Sequence, residues 1–539
     1  MGKIHGGRLV ARALRAEGVD ALFTLTGGHI VPLLDGCVEE GIRIVDVRHE
    51  ETAGHAAEAY SRLTGRLGVA AVTAAPGVTN LVTAVMNAYQ SSTPMLVIGG
   101  RHLIRQEHAG GLQEMNHPPI FASITKLATT AWETSRLADY IAIAARHAFS
   151  GRGGPVFLDI PLDVQSGLVD DGTPLPTGYR ATEPIGADQQ TVDRIAAALA
   201  SAQHPVIFAG GGVRGDGATA LLTVAEMFDT PVFLNAGARG AMPAGHRLLG
   251  SLTRSRAFAD ADVVLALQVD WDFRTGYGRK IADTATVIQV DPEPTRLGWN
   301  RPAHHAVVAD PGRLLAQLAK SDRSRAASGW AEEVAAAEAE ARTAAEAEAA
   351  SDAVPIAPQR FAREVGAFFG EDAIVAVDGG DIVATTARWI TVTSPGHLLE
   401  PGPAGTLGTG PGFALAAKVV APDRTVGIVF GDGGFGFNGF EYDTFVRHRL
   451  PIIGVMGNDG VWNNIKTFHR MFYPDRVVAA DLGRRPYHDV VTALGGHGEL
   501  VEEPAQLRPA LDRARASGRP ALVNVHIAET MRASSNYAG

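Results

Sequence analysis

Residues 427–463 read GIVFGDGGFGFNGFEYDTFVRHRLPIIGVMGNDGVWN. The apolar run Val426 to Phe430 delivers Gly431, Asp432, Gly433 and Gly434 to a turn, and a second run delivers Asn458, Asp459 and Gly460 to another. Short continuous apolar runs closed by glycine turns read as strands of a parallel sheet buried on both faces. In such a sheet both turns lie outside the carboxyl ends of strands, where open α/β sheets bind ligands. Two such turns can converge on one oxygen-preferring cation such as Mg²⁺, which keeps its other positions for phosphate or water. The glycines allow a diphosphate close to backbone N–H groups. Two unrelated strand-closing turns would use the same residue types, so the pattern alone leaves both readings standing.

The same grammar occurs twice more upstream. ALFTLTG, IRIVDVR, GVAAVTAA, PMLVIGG and GPVFLDIP predict strands in the first third of the chain, and PVIFAGG, TPVFLNAG, ADVVLALQVD and ATVIQVD in the second. The last third adds AIVAVDGG and ALVNVHI to the two runs above. The fold class is therefore α/β, with three doubly wound parallel-sheet domains expected at 1–173, 187–335 and 355–535. The proline-rich stretch 174–186 separates the first two. The alanine-rich, charged stretch from Trp330 has no continuous apolar stripe and is expected as an exposed helix, with 336–354 as a helical linker.

A chain of 539 residues exceeds what one core supports, which agrees with several domains. The net charge of -10, with no dense Lys/Arg stripe, argues against nucleic acid as a partner. No apolar run approaches the roughly 20 residues of a membrane span. The start lacks the apolar core of a signal peptide, and the single cysteine, Cys37, suits a reducing compartment. A cytoplasmic location is the expectation. The short tail after Glu529 leads to the expectation that no large C-terminal lid is present.

The segment 44–89 passes from a strand into an alanine-rich helix, with Glu50 of RHE at the junction. A glutamate in a first helical turn commonly serves as a cap or dipole partner. The GDG at 431–433, the second Asx turn and GTLGTGPGFALAAK (405–418) together resemble the cofactor signature of thiamine-diphosphate-dependent enzymes. That resemblance implies thiamine diphosphate and Mg²⁺ as cofactors. It places Asp432, the residue 27 positions later (Asp459) and the backbone carbonyl of Val461 on the metal. The family usually has Asn where this chain has Asp459; Asn458 is an alternative ligand that requires a one-residue slip. Glu50 is implied as the partner of N1′ of the aminopyrimidine, with Pro76 and Asn80 of PGVTN and the pair Gly27–Gly28 near the ring. Leu407 is implied beneath the bent cofactor. The family builds this cleft between two subunits, so a homodimer or homotetramer is implied.

Over residues 5–530 the resemblance is strongest to the group containing acetolactate synthase large subunits, 2-hydroxyacyl-CoA lyases, oxalyl-CoA decarboxylase and benzaldehyde lyase. It implies a small-molecule substrate. Arg274 in DWDFR matches an arginine that reads a substrate carboxylate, while His29 and Gln113 match active-site residues of benzaldehyde lyase. His29 suits proton relay, because imidazole titrates near neutrality, although a histidine at a helix start also serves as a cap. His117 and Lys126 are weaker candidates. The middle domain has no GxGxxG; its glycine turn AGGGVRGDG (209–217) and the acidic strand end at Asp291 leave open FAD or the ADP part of coenzyme A. Arg214, Arg254 and Arg279 are cations available to CoA phosphates. The expected activity is a carboligase/decarboxylase that makes an acyl carbanion equivalent from a 2-oxo acid. The alternatives are a lyase acting on 2-hydroxyacyl-CoA or 2-hydroxy ketones, and a protein that binds the cofactor without turnover.

Overall fold

The apolar runs form three six-stranded sheets. The computed structural model describes residues 2–529; the expected end of the third domain at 535 and the tail fall outside the described residues. The first sheet runs Arg43–Asp46, Ala21–Leu25, Gly68–Val72, Met95–Arg101, Pro155–Pro161, Leu127–Thr130 in spatial order. The second runs Leu249–Gly250, Val232–Leu234, Pro205–Ala209, Val263–Leu267, Thr286–Asp291, His305–Val308. The third runs Leu398–Leu399, Ile374–Asp378, Val426–Gly431, Ile452–Asn458, Ala521–His526, His497–Val501. Every pairing within these sheets is parallel. A small antiparallel pair, Lys3–His5 with Leu168–Asp170, lies apart.

Each sheet has a central reversal of strand order, and a glycine sits at that point in all three. A Cβ on Gly27 would stand 2.4 Å from Thr73 Cβ, and one on Gly210 would stand 2.0 Å from the Gln268 carbonyl oxygen. Gly379, at φ +139, lies against Gly431 in the third sheet. These crevices are where open α/β sheets receive ligands.

The helix Trp330–Glu348 is helical as expected, but one side of its first half is buried. Trp330 stacks on His204 and donates its indole N–H to the Pro205 carbonyl. Glu338 is buried and accepts from the backbone N–H of Leu252 and Thr253. Helix and middle sheet are thus one packed unit. No helix among the described residues is long and apolar enough to cross a membrane.

The first and third sheets share one continuous hydrophobic core, which runs from Phe23 and Val97 through Phe413 to Phe430 and Tyr442. Its centre is the helix Glu50–Thr64 packed on the helix Thr409–Val420. Gly412 permits the close approach, since a Cβ there would lie 2.7 Å from His55 Cβ and 2.8 Å from the Thr52 carbonyl oxygen.

His55 is buried in this seam between Glu51 and Glu58. Burial alone would lower its pKa, but the hydrogen bonds and charges of the two glutamates push it up to about 9. The folded value lies above the ordinary 6.5, so the stabilisation is complete below pH 6.5 and is lost as pH rises through about 9. The shift corresponds to on the order of 3 kcal/mol. Urea titrations at pH 6 and pH 10 are expected to show that loss in the native chain, and His55→Gln to flatten it.

Candidate active site

The carboxyl end of the third sheet opens into a cavity of about 1270 Å³ shared with the middle unit. Gly431, Asp432, Gly433, Gly434, Asp459, Val461 and Leu407 all line it. The strand ends at Gly431, and Asp432 begins the short helix Asp432–Asn438. The glycines are dictated by crowding: a Cβ on Gly433 would strike the Trp462 ring at 2.1 Å, and one on Gly434 would lie 2.9 Å from Asp378 Oδ1. Asp378 is itself buried and accepts from the N–H groups of Gly408 (3.0 Å) and Gly410 (2.9 Å), fixing the loop that carries Leu407.

Two carboxylates, one from each turn, line the same cavity. Burial pushes Asp432 up to about 6, and burial followed by the charge of Asp432 pushes Asp459 up to about 7. Asp432 Oδ2 is buried without a hydrogen-bond partner among the described residues, while Asp459 Oδ1 accepts from Val461 N at 3.2 Å. An orphaned carboxylate oxygen beside a second carboxylate, both destabilised in their charged forms, is the donor set a hard divalent cation would satisfy. The glycine cradle leaves room for a diphosphate beside it. The residues fit both groups.

Asn458 stands elsewhere. It ends its strand fully buried and donates from Nδ2 to Asn524 Oδ1 at 3.1 Å. The pleat that turns its side chain into this polar pair leaves Asp459 on the cavity wall.

In the first unit, Glu50 is the opening residue of the helix Glu50–Thr64 and is 7% exposed. Asn80 Nδ2 donates to Glu50 Oε2 at 2.9 Å, so the structure brings together the expected Glu and the end of PGVTN. The turn Pro76–Thr79 begins after Ala75, which is held at φ 46 and ψ -100. His117 Nε2 accepts from the Ala75 N–H at 3.0 Å, and its Nδ1 donates to Asp159 Oδ2 at 3.2 Å. His117 is thus a bracket for this turn. Lys126 is structural as well, donating to the carbonyls of Ser150 and Arg152.

His29 lies in the 3₁₀ turn Gly28–Ile30 that follows Gly27, with Nδ1 3.1 Å from Thr73 Oγ1. Burial lowers its pKa, a hydrogen bond with the Leu112 backbone opposes this, and the charges of His102 and His117 lower it further. Gln113 follows Leu112 directly, at φ 57, so the loop bearing Gln113 is tied to His29. None of Glu50, Asn80, His29 or Gln113 lines the cavity that carries Asp432.

The middle unit departs from two expectations. Arg274 lines the cavity, but its fork is already engaged: Nε lies 3.0 Å and Nη2 2.6 Å from Asp272 Oδ2. Asp291, read as a possible ribose partner, is fully buried and ion-paired to Arg152 of the first unit, which also binds Asp270. Its carboxylate is an inter-unit bridge. Arg214 donates to the carbonyls of Gly211 and Arg62, while Arg254 and Arg279 line the cavity. Sequence reading missed Asp378, although VDGG (377–380) repeats the run-then-Asp-Gly pattern. It also missed His117 as a bracket and Glu441, whose partners are remote in sequence.

Comparisons with known proteins agree with this geometry. Residues 4–120 match the N-terminal TPP binding domain of thiamine pyrophosphate enzymes, 192–318 their central domain and 378–525 their C-terminal TPP binding domain. The chain is 43% identical over 530 residues to the probable acetolactate synthase of Mycobacterium bovis, covering 97% of this chain and 95% of that protein. It is equally similar to the acetolactate synthase large subunit of Mycobacterium tuberculosis. It is 35% identical over 577 residues to 2-hydroxyacyl-CoA lyase 2 of Bos taurus, covering 98% of this chain and 90% of that protein. With one matched domain on each of its three sheets, this chain belongs to the thiamine pyrophosphate enzymes.

Proposed function

We propose that this enzyme is a thiamine-diphosphate- and magnesium-dependent carboligase that decarboxylates a 2-oxo acid and joins the resulting acyl unit to a second carbonyl. The observation that carries the reading is the pair Asp432 and Asp459 in a glycine cradle, in a chain 43% identical to proteins named acetolactate synthase. When bound, thiamine diphosphate supplies a carbon nucleophile and an electron sink for C–C cleavage. Asp432, Asp459 and the Val461 carbonyl would hold magnesium, and Gly431, Gly433 and Gly434 would give the diphosphate access to backbone N–H groups. Leu407, on the cavity wall, would pack against the bound cofactor. Glu50, oriented by Asn80, would hydrogen-bond the ring nitrogen N1′ of bound cofactor and hold or release a proton at its own carboxylate. Gly27, Gly28 and Pro76 shape the wall on that side, and His29 and Gln113 face the substrate.

Because no first-unit residue lines the Asp432 cavity, a second copy would supply its Glu50 there. The active form is then a homodimer or a homotetramer built from it. The cytoplasm is the proposed location, supported by a single buried cysteine whose thiol burial pushes up to about 12.

A second reading, a lyase of 2-hydroxyacyl-CoA, is favoured by the cations on the cavity wall: Arg239, Arg254, Arg274, Arg279, Lys280, Arg342 and Arg388. Burial, then the charges of Arg239 and Arg274, lowers the pKa of Arg254, which is the electrostatic state an anionic ligand relieves. FAD would use the same charges. The deciding experiment incubates the enzyme, loaded with thiamine diphosphate and Mg²⁺, with pyruvate and separately with a 2-hydroxyacyl-CoA. Acetolactate and CO₂ support the carboligase; aldehyde plus formyl-CoA supports the lyase. Failure with both overturns both readings. Native mass measurement reports assembly state and retained flavin.

A further inference from the structure

Backbone donors can be followed one by one through the junction that carries Glu50. Val47 N–H still belongs to the sheet, donating to the Thr24 carbonyl at 2.9 Å. The helix's own bonding starts with Thr52 N–H to the His49 carbonyl at 3.0 Å. Between them, the N–H groups of Arg48 and His49 fall to neither strand nor helix. Glu441 takes both: its Oε1 accepts from Arg48 N at 3.0 Å and His49 N at 3.1 Å, and its Oε2 lies 3.2 Å from Arg48 N. Oε2 also accepts from Thr444 Oγ1 at 2.5 Å. The Glu441 carboxylate is 1% exposed, so water does not compete for these bonds.

A helix start is ordinarily capped by a residue of its own chain segment. Here His49 Nδ1 accepts only Glu51 N–H, at 3.3 Å, and the two preceding amides are held from another sheet unit. Glu441 closes the turn Gly439–Glu441, which follows directly on the helix opened by Asp432. The same seam is fastened by Arg447 and His448, both of which pair with Asp46.

We infer that Glu441 is a positioning residue for Glu50, fixing from the third sheet unit the strand-to-helix junction on which that glutamate stands. The inference rests on Glu50 being the proton-exchanging group proposed above. Glu441 touches neither substrate nor cofactor; it acts through the Arg48 and His49 amides.

The test uses the full chain and three variants, Glu441→Ala, Glu441→Gln and Glu50→Gln. Hydrogen exchange at the Arg48 and His49 amides, read without cofactor, is expected to quicken about tenfold or more in E441A. It should stay near native in E441Q, which keeps one acceptor oxygen where Oε1 stands, and in E50Q. With thiamine diphosphate and Mg²⁺ bound, C2–H exchange of the cofactor should slow about tenfold in E441A at unchanged cofactor affinity, and recover in E441Q. Should E441A not fold, Glu441→Asp, whose shorter arm draws the carboxylate away from the amides, replaces it. Native amide exchange in E441A (or E441D), or native C2–H exchange despite fast amides, overturns the inference. Fast C2–H exchange in E50Q would instead remove the role of Glu50, a separate outcome.

Discussion

Glu50→Gln is expected to lower turnover by about 10²–10⁴-fold, the range that a positioned proton-transfer group contributes. The amide matches the carboxylate in shape and can still meet Asn80, so the buried junction keeps its packing; what it loses is the capacity to take and return a proton. The thermal midpoint and far-UV circular dichroism should therefore stay native, and thiamine diphosphate affinity should change little. Steady-state kinetics and a melting curve on one preparation suffice as the check. Unchanged turnover would remove Glu50 from the chemistry.

Asp432→Asn and Asp459→Asn are expected to behave oppositely despite identical chemistry. Asp432 opens its helix with an unpartnered buried oxygen, so its amide variant loses the anionic ligand and should weaken magnesium-dependent cofactor binding by about 10²-fold or more. Asp459 is held up by burial and then by the charge of Asp432. At about 5 Å and an effective dielectric near 20, such a pair repels by about 3 kcal/mol before a metal neutralises it. Asn at 459 removes that repulsion and keeps a ligand oxygen, so affinity should stay within about threefold of native. Titration calorimetry with thiamine diphosphate at saturating Mg²⁺ separates the two. Native affinity in D432N would defeat the metal assignment.

The central strands were legible because a strand buried on both faces must be apolar throughout. Val426–Gly431 and Ile452–Asn458 are such strands, and their Asx-Gly ends announced the cavity. Within the three large sheets, the strands that the sequence pattern did not mark, Leu127–Thr130, Leu249–Gly250, His305–Val308, Leu398–Leu399 and His497–Val501, all lie at sheet edges. There one neighbour is missing, runs are short and polar residues are tolerated. At the site, Asp459 and Asn458 differ by one residue of pleat: Asn458 turns to Asn524, a partner 66 positions away, while Asp459 lines the cavity. The burial of the helix Trp330–Glu348 turned on four residues of its first half, Trp330, Ala331, Val334 and Glu338, one of them charged, in a sequence otherwise mostly alanine and glutamate. Arg274 read as a free carboxylate binder, whereas Asp272, two residues earlier, holds its Nε and Nη2. Glu441 was invisible because its partners lie nearly 400 positions upstream and are backbone amides, which carry no residue signature.

The core shared by the first and third sheets has a consequence for biosynthesis. A ribosome releases the first sheet's helix-bearing face long before the helix Thr409–Val420 exists to cover it. The middle unit, with its own interior around Ile207 and Leu265, can close in that interval. The outer two must mature together, so a nascent chain halted before residue 409 exposes a greasy alanine- and valine-rich surface that chaperones would be called upon to shield.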